Sequence, residues 1–332
     1  MTQPIPMVEI WRGDLLESQH LGHAVVCDSS GQVVEAWGDD EKVIYPRSSC
    51  KMLQALPLVE SGAADAFGLT SEQLALSCAS HKGAAIHTDR VQVWLNDLGL
   101  SVSDFRCGPQ KPSDKDAHEA LVRAGKQPCQ IHNNCSGKHS GFLTLTKHLG
   151  AGSEYTQVDH PVQRAARSAF EEMTGEDAEF YGIDGCSAPN FSTSVTGLAR
   201  AMARMAKPTV KGARAQASER LVNAMRTHPE LVAGEGGACT ELMRAMNGKV
   251  AIKTGAEAVY VAILPEQGLG MALKIADGGT RAAEAAIAGL LVKYGALDAN
   301  HPMARKRLHG PILNRNGLNT GHMRLSPDFI QL

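Results

Sequence analysis

The sequence predicts an α/β (α+β) protein in which an antiparallel sheet is flanked by helices and a mostly helical lobe is inserted. Short β-rich runs occupy both ends of the 332-residue chain, and periodic apolar patterns typical of helices fill its middle. Strands at the two ends of a chain can pair into one sheet with helices on its faces. We therefore expect residues 1–60 and 235–332 to form a composite α/β lobe and residues 61–234 a mainly helical lobe. Together they would make one compact unit with a ligand-binding cleft between the lobes.

The individual patterns follow that order. Four β-rich runs open the chain, and they lie at 8–10, 24–27, 33–37 and 42–45. Helical patterns come next, at 86–98, 117–123, 141–148, 162–173, 195–205 and 215–225. Strands return at 250–253, 258–264 and 271–275, before an amphipathic helix at 280–294. The polar tail from residue 301 onwards predicts a loop-rich wrap with one short edge strand.

Composition argues against several classes of function. Hydrophobic residues make up 43% of the chain and charged residues 20%, which is ordinary for a globular protein. The net charge is −2 and no basic stripe is present, so we expect no nucleic-acid partner. No apolar stretch reaches the length that spans a membrane, and residues 1–7 show no secretory signal. The eight scattered cysteines are then expected to be reduced thiols in the cytoplasm.

Ser48 and Lys51 form an S-x-x-K motif where a strand-like run turns into a helix-like one. Residues three apart on a helix share a face, so the serine hydroxyl would lie beside the lysine amine. A serine hydroxyl becomes a nucleophile when a neighbouring base takes its proton, and lysine is such a base only when neutral. About one such motif is expected by chance in a chain of this length. A capping serine beside an exposed lysine is therefore the alternative.

A second cation is predicted at Lys253, in a K-T-G motif that ends a late strand and precedes a turn. Only about 0.1 such matches are expected by chance, and S-x-x-K with K-T-G resembles the motif set of penicillin-recognising serine enzymes. The S-x-N element of that set is missing, and the nearest candidate is Ser80. Two ammonium groups close together disfavour each other's charge, which would help to free a base. An exposed turn lysine and a capping serine are the alternatives.

The densest run of potential ligands is H-N-N-C-S-G-K-H, which contains Cys135, and a second thiol lies at Cys186. Two thiolates and one nitrogen ligand could hold zinc and leave one coordination position open. By residue type, the nitrogen would come from His132 or His139. Asp184 would orient a ligand or the substrate amine. The alternative is that both cysteines are small buried hydrophobic residues.

Five motifs in sequence order closely resemble the class 3, rhizobial-type L-asparaginases. They are P-R-S-S-C-K, S-C-A-S-H, H-N-N-C-S-G-K-H, G-I-D-G-C-S-A-P and K-T-G-A-E, and they span nearly the whole chain. The resemblance implies a fold similar to serine β-lactamases and penicillin-binding proteins. It also implies hydrolysis of the L-asparagine side-chain amide to aspartate and ammonia, a zinc ion near the site, and a homodimer.

The resemblance also implies a role for each matching residue. It makes two coupled Ser-Lys pairs, Ser48 with Lys51 and Ser80 with Lys253. It places zinc on three ligands, Cys135, Lys138 and Cys186. Supporting or substrate-contacting roles fall to Arg47, Asp184, His139 and Cys239.

Two alternatives for the function stay open at this point. One is a glutaminase or another β-lactamase-like serine amidohydrolase; the missing S-x-N element argues against lactam hydrolysis. The other is a non-catalytic protein that binds zinc or a small ligand. The presence of Ser48, Lys51 and Lys253 together disfavours it.

Overall fold

The computed structural model describes residues 3–331, within which twelve strands and fourteen α-helices are found. The strands are β1 (Ile5–Arg12), β2 (Leu15–Asp28), β3 (Val33–Trp37), β4 (Val43–Ile44), β5 (Tyr181–Ile183), β6 (Pro189–Phe191), β7 (Thr193–Ser194), β8 (Ala251–Gly255), β9 (Val259–Leu264), β10 (Leu269–Ile275), β11 (Pro311–Leu313) and β12 (Asn319–Leu325). The first eight helices are α1 (Lys51–Gln54), α2 (Leu56–Glu60), α3 (Ala63–Ala66), α4 (Ser71–Ser77), α5 (Ala85–Asp97), α6 (Lys115–Arg123), α7 (Ser136–His148) and α8 (Pro161–Thr174). The others are α9 (Val195–Ala206), α10 (Ala213–Thr227), α11 (Pro229–Ala233), α12 (Ala238–Ala245), α13 (Thr280–Lys293) and α14 (Pro302–Leu308).

The chain divides by its contacts into two units. The sheet unit contains the residues up to Ser49, Thr193–Lys207 and the residues from Glu241 on. The helical unit contains Cys50–Ser192 and Pro208–Thr240. Helix α9 therefore belongs to the sheet unit, although its sequence lies within the helical middle of the chain.

The sheet unit is built on one antiparallel sheet that joins the two ends of the chain. Its strand order is β11-β12-β1-β2-β10-β9-β8, and β3 pairs with β2 beside this path. The long strand β2 pairs with β1 through its first half and with β10 through its second half. Every residue of β9 is buried, because α9 and α13 both pack against it. This arrangement of an antiparallel sheet with flanking helices confirms the predicted fold class.

Helix α9 approaches the sheet unusually closely at Gly270 of β10. A Cβ atom at Gly270 would lie 2.0 Å from the backbone nitrogen of Ala203 and 2.4 Å from the carbonyl oxygen of Ala199. These distances are shorter than any side chain tolerates, so only glycine fits between strand and helix. The apolar face of α9 is consequently buried directly against the sheet.

The helical unit has a core in which α4, α5 and α7 meet. Trp94 of α5 is 1% exposed, and its indole nitrogen donates to Thr144 Oγ1 of α7 at 3.0 Å. Gly137 allows α7 to approach α4, since a Cβ atom there would lie 2.4 Å from the carbonyl oxygen of Leu76. This contact fixes the start of α7 against the C-terminal end of α4.

The C-terminal tail differs from the prediction of a loop-rich wrap with one edge strand. It contains helix α14 and two strands, and β12 pairs with β1 over Val8–Trp11. Side chains of β12 alternate between exposed and half-buried positions, so apolar composition does not reveal this strand. Helix α14 begins at Pro302, and the side chain of His301 accepts a hydrogen bond from the backbone nitrogen of Met303. The helix has only seven residues, so its sequence pattern is too short to predict it.

We predict that Gly270→Ala lowers the free energy of unfolding by about 3 kcal/mol, because the added methyl overpacks the interface between α9 and β10. Gly152→Ala is the matched control, since a Cβ atom there meets no atom within 4 Å. Urea unfolding of both variants measures the difference. Equal stability of the two variants would show that α9 can shift away from the sheet without cost.

Candidate active site

The turn that carries Ser48 is a short 3₁₀ helix, Arg47–Cys50, in which Arg47 has a left-handed backbone with φ of 53°. The hydroxyl of Ser49 donates to the carbonyl oxygen of Pro46 at 2.7 Å, and Ser49 is fully buried. Ser48 is half-buried. Of the two neighbouring serines, Ser49 therefore holds the turn together and Ser48 is the one that a ligand could reach.

Strand β8 lies directly against this turn within the sheet unit. A Cβ atom at Gly255 would lie 2.5 Å from the carbonyl oxygen of Pro46 and 3.0 Å from the backbone nitrogen of Ser49. Two residues earlier in the strand, Lys253 is 0% exposed and its amine donates to the carbonyl oxygen of Thr254 at 2.8 Å. The K-T-G motif thus lies wholly within the strand, and the turn that follows it begins at Ala256.

Lys51 opens α1 in the helical unit and is 1% exposed. Its amine hydrogen-bonds to the carbonyl oxygen of Ala79. It also lies 3.1 Å from Ser80 Oγ and 3.1 Å from Cys135 Sγ. The structure therefore brings one predicted lysine, one predicted serine and one predicted thiol ligand into direct contact.

The loop that carries Ser80 is fixed by neighbours on both sides. The backbone nitrogen of Ser80 donates to the carbonyl oxygen of Val232 at 2.9 Å. The next residue, His81, donates from its backbone to the carbonyl oxygen of Asn134 at 3.1 Å, and its Nε2 lies 2.9 Å from Ser136 Oγ. His81 is therefore a buried structural residue that ties this loop to the start of α7.

Cys135, Lys138 and Cys186 form a cluster of two thiols and one amine. Cys135 and Lys138 lie one helical turn apart at the start of α7. The Lys138 amine lies 3.1 Å from the sulfur of Cys186, which follows β5 in a turn whose residue Ser187 has a φ of 68°. All three ligands proposed from the sequence are buried, at 3–4% exposure. The helix and the turn hold their side chains together.

The cluster carries separated charges. A hydrogen bond from Cys135 lowers the pKa of Cys186 well below that of an ordinary thiol, against the effect of burial, and Lys138 lowers it further. The same hydrogen bond, together with burial, raises the pKa of Cys135 well above its usual value. Burial lowers the pKa of Lys138, but attraction to the Cys186 and Cys135 sulfurs outweighs it and raises the pKa. In the cluster by itself, these shifts favour negative charge on Cys186, a neutral thiol at Cys135 and positive charge on Lys138.

Neither histidine that residue type suggested as a ligand takes the nitrogen position. His132 Nδ1 is bound to the backbone nitrogen of Cys129 at 3.1 Å. His139 is fully buried, and its Nδ1 lies 2.8 Å from the hydroxyl of Tyr155. The Lys138 amine lies beside the sulfur of Cys186, and its role as a nitrogen ligand, which the resemblance implies, stays a prediction. Tyr155 was missed from the sequence, because it lies in a loop without a motif.

Asp184 and Cys239 are two further residues that the sequence predicts at the site. Asp184 precedes Cys186 in the same turn, where its carboxylate accepts from the backbone nitrogen of Gly185 at 2.6 Å and from Asn190 Nδ2 at 3.5 Å. This hydrogen bonding stabilises the turn. Cys239 is 1% exposed in the first turn of α12. The roles of Asp184 and Cys239 toward a substrate stay predictions.

The donor set of the cluster fits zinc, which prefers thiolate and nitrogen ligands. Within residues 3–331, no group of three or more His, Cys, Asp or Glu side chains is arranged to hold a metal ion. A zinc site here therefore needs the amine of Lys138 as its third protein ligand. Lys138 and Cys135 would both have to lose their protons for this.

The chain belongs to the L-asparaginase II family, whose family model matches residues 8–325. This membership confirms the resemblance inferred from the five motifs, and it makes the protein an amidohydrolase. A comparison with curated proteins gave no match. Among residues 3–331, no helix is both long and apolar enough to cross a membrane.

Solved structures with similar coordinates share little sequence with this chain. A crystal structure of Mglu in its native form is 10% identical, with a TM-score of 0.49; 90% of this chain and 70% of that chain are covered. A β-lactamase from Mycobacterium bovis is 16% identical, with a TM-score of 0.43 and coverages of 82% and 94%. An octameric penicillin-binding protein homologue from Pyrococcus abyssi is 12% identical, with a TM-score of 0.42 and coverages of 89% and 80%. The family assignment rests on the family model alone.

We predict that Gly255→Ala lowers kcat for amide hydrolysis on the order of 100-fold, because a methyl group there must displace the Pro46–Ser49 backbone that carries Ser48. The measurement is ammonia release from L-asparagine and L-glutamine. Gly152→Ala again serves as the control with open space around the new methyl group. Unchanged kcat in a folded Gly255→Ala protein would mean that the position of this turn does not affect catalysis.

Proposed function

We propose that this protein hydrolyses the side-chain amide of L-asparagine to L-aspartate and ammonia through a covalent acyl-enzyme, with Ser48 as nucleophile and Lys51 as its base. Membership of the L-asparaginase II family supports this substrate. The single observation that carries the mechanism is the buried amine of Lys51, in contact with Ser80 and Cys135 and three residues after Ser48.

The contacts of Lys51 suit a neutral amine. The carbonyl oxygen of Ala79 can only accept, so it takes one N–H hydrogen. The hydroxyl of Ser80 and the thiol of Cys135 can each either accept or donate. One of them can accept the second N–H hydrogen, and the other can donate to the lone pair in the resting enzyme, a hydrogen bond that is given up when the lone pair takes the Ser48 proton. The base that the reaction requires is therefore compatible with every contact that Lys51 makes here.

The reaction then proceeds in two halves. The hydroxyl proton of Ser48 moves to the lone pair of Lys51, and the serine oxygen forms a bond to the carboxamide carbon. Collapse of the tetrahedral intermediate breaks the carbon–nitrogen bond, and the departing nitrogen takes the proton that Lys51 had received, so that ammonia leaves and Lys51 is neutral again. Lys51 then accepts a proton from a water molecule, which attacks the ester; the second tetrahedral intermediate collapses to aspartate, and Lys51 returns the proton to the Ser48 oxygen.

Ser80 is suited to carry the proton that the leaving ammonia needs, because its hydroxyl lies 3.1 Å from the Lys51 amine. A hydroxyl can accept a proton on one side while it gives one up on the other. The pairing of Ser80 with Lys253 stays a prediction. Loss of ammonia release in Lys253→Ala, with binding retained, would support a role for this second lysine in the reaction.

We also propose that Cys135, Lys138 and Cys186 hold a zinc ion. Bound zinc would supply a fixed positive charge that shapes and positions the pocket, and Ser48 remains the nucleophile. The convergence of two sulfurs and one nitrogen supports this ligand set. A homodimer in the cytoplasm is part of the same proposal, by resemblance, and light scattering of the purified protein tests the dimer.

We predict that Ser48→Ala lowers kcat more than about 1,000-fold, the scale on which loss of a catalytic nucleophile acts. Ser49→Ala is the matched control: it removes the bond to Pro46, which costs about 1 kcal/mol of stability, and leaves the nucleophile in place. Ammonia release and mass spectrometry of the acyl-enzyme are the measurements.

Three results would separate the proposal from its rivals. Turnover of asparagine above glutamine, with an adduct on Ser48, supports it. Turnover of glutamine or a chromogenic lactam in place of asparagine would assign another amidohydrolase activity to the same serine. Absence of turnover with all three, in a protein that still binds zinc or aspartate, would favour a ligand-binding role.

We predict that the purified protein binds one zinc ion per chain and that Cys186→Ser weakens this binding at least tenfold, because one thiolate ligand is lost. Zinc added to the metal-free protein should raise its melting temperature by mass action. Chelator competition and elemental analysis measure the binding, and Cys27→Ala controls for loss of a buried thiol elsewhere. Equal zinc affinity of Cys186→Ser and the unmodified protein would refute this ligand set.

A further inference from the structure

Two buried histidines with stacked rings lie at the loop that carries Ser80. His81 is 1% exposed and His87 is 0% exposed; their ring centroids lie 4.8 Å apart, and the angle between the ring planes is 10°. His87 Nε2 donates to the carbonyl oxygen of Glu230 in α11 at 2.9 Å. The same short helix supplies the carbonyl oxygen of Val232 that accepts from the Ser80 backbone. His87 therefore links the stacked pair to the helix that also holds the Ser80 backbone.

The hydrogen bonds of His81 determine which of its ring nitrogens carries the hydrogen. Its Nδ1 atom accepts from the backbone nitrogen of Gly83 at 3.1 Å, and a backbone N–H group can only donate. The neutral ring therefore carries its hydrogen on Nε2, which lies 2.9 Å from Ser136 Oγ. The Ser136 hydroxyl donates its own hydrogen to the carbonyl oxygen of Ile131 at 2.9 Å, so its oxygen accepts from His81.

Both hydrogen bonds of the His81 ring require the ring to be neutral. A second hydrogen, on Nδ1, would point at the Gly83 N–H group and break that contact. Burial lowers the pKa of His81 well below its usual value, and the neighbouring His87 and Lys51 lower it further. The imidazole is therefore a neutral bridge, with one fixed acceptor and one fixed donor, between the Ser80 loop and the start of α7.

We propose that His81 is a positioning residue for Ser80. Its Nε2–H group, bound to Ser136, holds the Ser80 hydroxyl in place at the Lys51 amine, 3.1 Å away. Ser136 directly follows Cys135, whose sulfur contacts the same amine. The bond from His81 to Ser136 therefore joins the two segments that supply partners to this amine. The inference rests on the function proposed above, in which Ser80 carries the proton to the leaving ammonia.

Two substitutions at His81 separate its two hydrogen bonds. His81→Gln places an amide N–H group near the position of Nε2, whereas His81→Asn keeps an acceptor near Nδ1 and leaves Ser136 without a donor. We expect His81→Gln to retain kcat for amide hydrolysis within about threefold, and His81→Asn to lose on the order of tenfold with KM unchanged, because the proton-carrying hydroxyl is displaced. Ser136→Ala removes the same bond from the other side, so it should lower kcat to a similar extent.

His160 offers a matched control in the helical unit. Its Nδ1 atom also accepts from a backbone nitrogen two residues later, that of Val162, and its Nε2 atom donates to the carbonyl oxygen of Gly152. His160→Asn therefore loses the same kind of bond away from Ser80, and it should lower the melting temperature while kcat stays unchanged. A purely structural role of His81 would impair His81→Gln as much as His81→Asn, with kcat following the melting temperature. That outcome would overturn the proposal.

A double-mutant cycle with Ser80→Ala tests whether His81 acts through the Ser80 hydroxyl. In the Ser80→Ala background, His81→Asn should cause no further loss of kcat, because no hydroxyl remains to be positioned. Independent losses that multiply would contradict the inference. Impaired turnover in Ser80→Ala with full turnover in His81→Asn and Ser136→Ala would do the same, and would leave the proposed function in place. Full turnover in Ser80→Ala, or none in the unmodified protein, would remove the proposed proton path and this inference with it.

A measurement that does not depend on turnover tests the hydrogen bonds directly. In the unmodified protein, ¹⁵N NMR of His81 should show a protonated Nε2 and an unprotonated Nδ1, and Ser136→Ala should shift the Nε2 resonance. The opposite tautomer, or an Nε2 resonance that Ser136→Ala leaves in place, would sink the role of His81 without touching the proposed function.

Discussion

The arrangement of the segments around the candidate site in the helical unit depends on the buried amine of Lys51. An amine removed from water is costly unless every hydrogen and lone pair finds a partner. Here the partners come from two other segments: the loop after α4 supplies Ala79 and Ser80, and the start of α7 supplies Cys135. Movement of either segment would remove at least one of these partners. The polar contacts proposed to serve the chemistry therefore also fix the backbone of both segments.

Glycine residues allow backbone segments to pack closely against each other in both units. Gly137 lets the start of α7 contact the backbone of α4, and Gly255 lets strand β8 contact the turn of Ser48. In each case, the atom that a methyl group would strike belongs to the backbone, so a neighbouring side chain cannot yield to make room. The sequence motifs contain these glycines for packing reasons, whereas their serines, cysteines and lysines are the residues for which we propose a chemical role.

Periodicity predicts the long elements of this fold and fails for the short ones. Helices α5 and α8 and strands β9 and β10 each bury an apolar pattern and were predicted within a few residues. The four-residue helices α1 and α3 are too short for a pattern to repeat, and β12 is held by backbone pairing with β1. Periodicity also cannot choose the nitrogen ligand proposed for zinc. Lys138 and His139 lie three and four residues after Cys135, and both spacings share one helix face. The structure places the Lys138 amine 3.1 Å from the Cys186 sulfur and binds His139 Nδ1 to Tyr155.

The charges in the cluster give a physical reason for lysine as the nitrogen donor. Without metal, the pKa shifts favour opposite charges on Cys186 and Lys138, which cancel, and a neutral thiol at Cys135. With zinc bound as proposed, two thiolates balance the doubly charged ion and the amine is neutral. Both states therefore bury no net charge, which avoids the large cost of an isolated charge in a low-dielectric interior. A neutral histidine in place of Lys138 would leave the metal-free cluster with an uncompensated thiolate. Under this proposal, lysine avoids a buried net charge both without metal and with zinc bound.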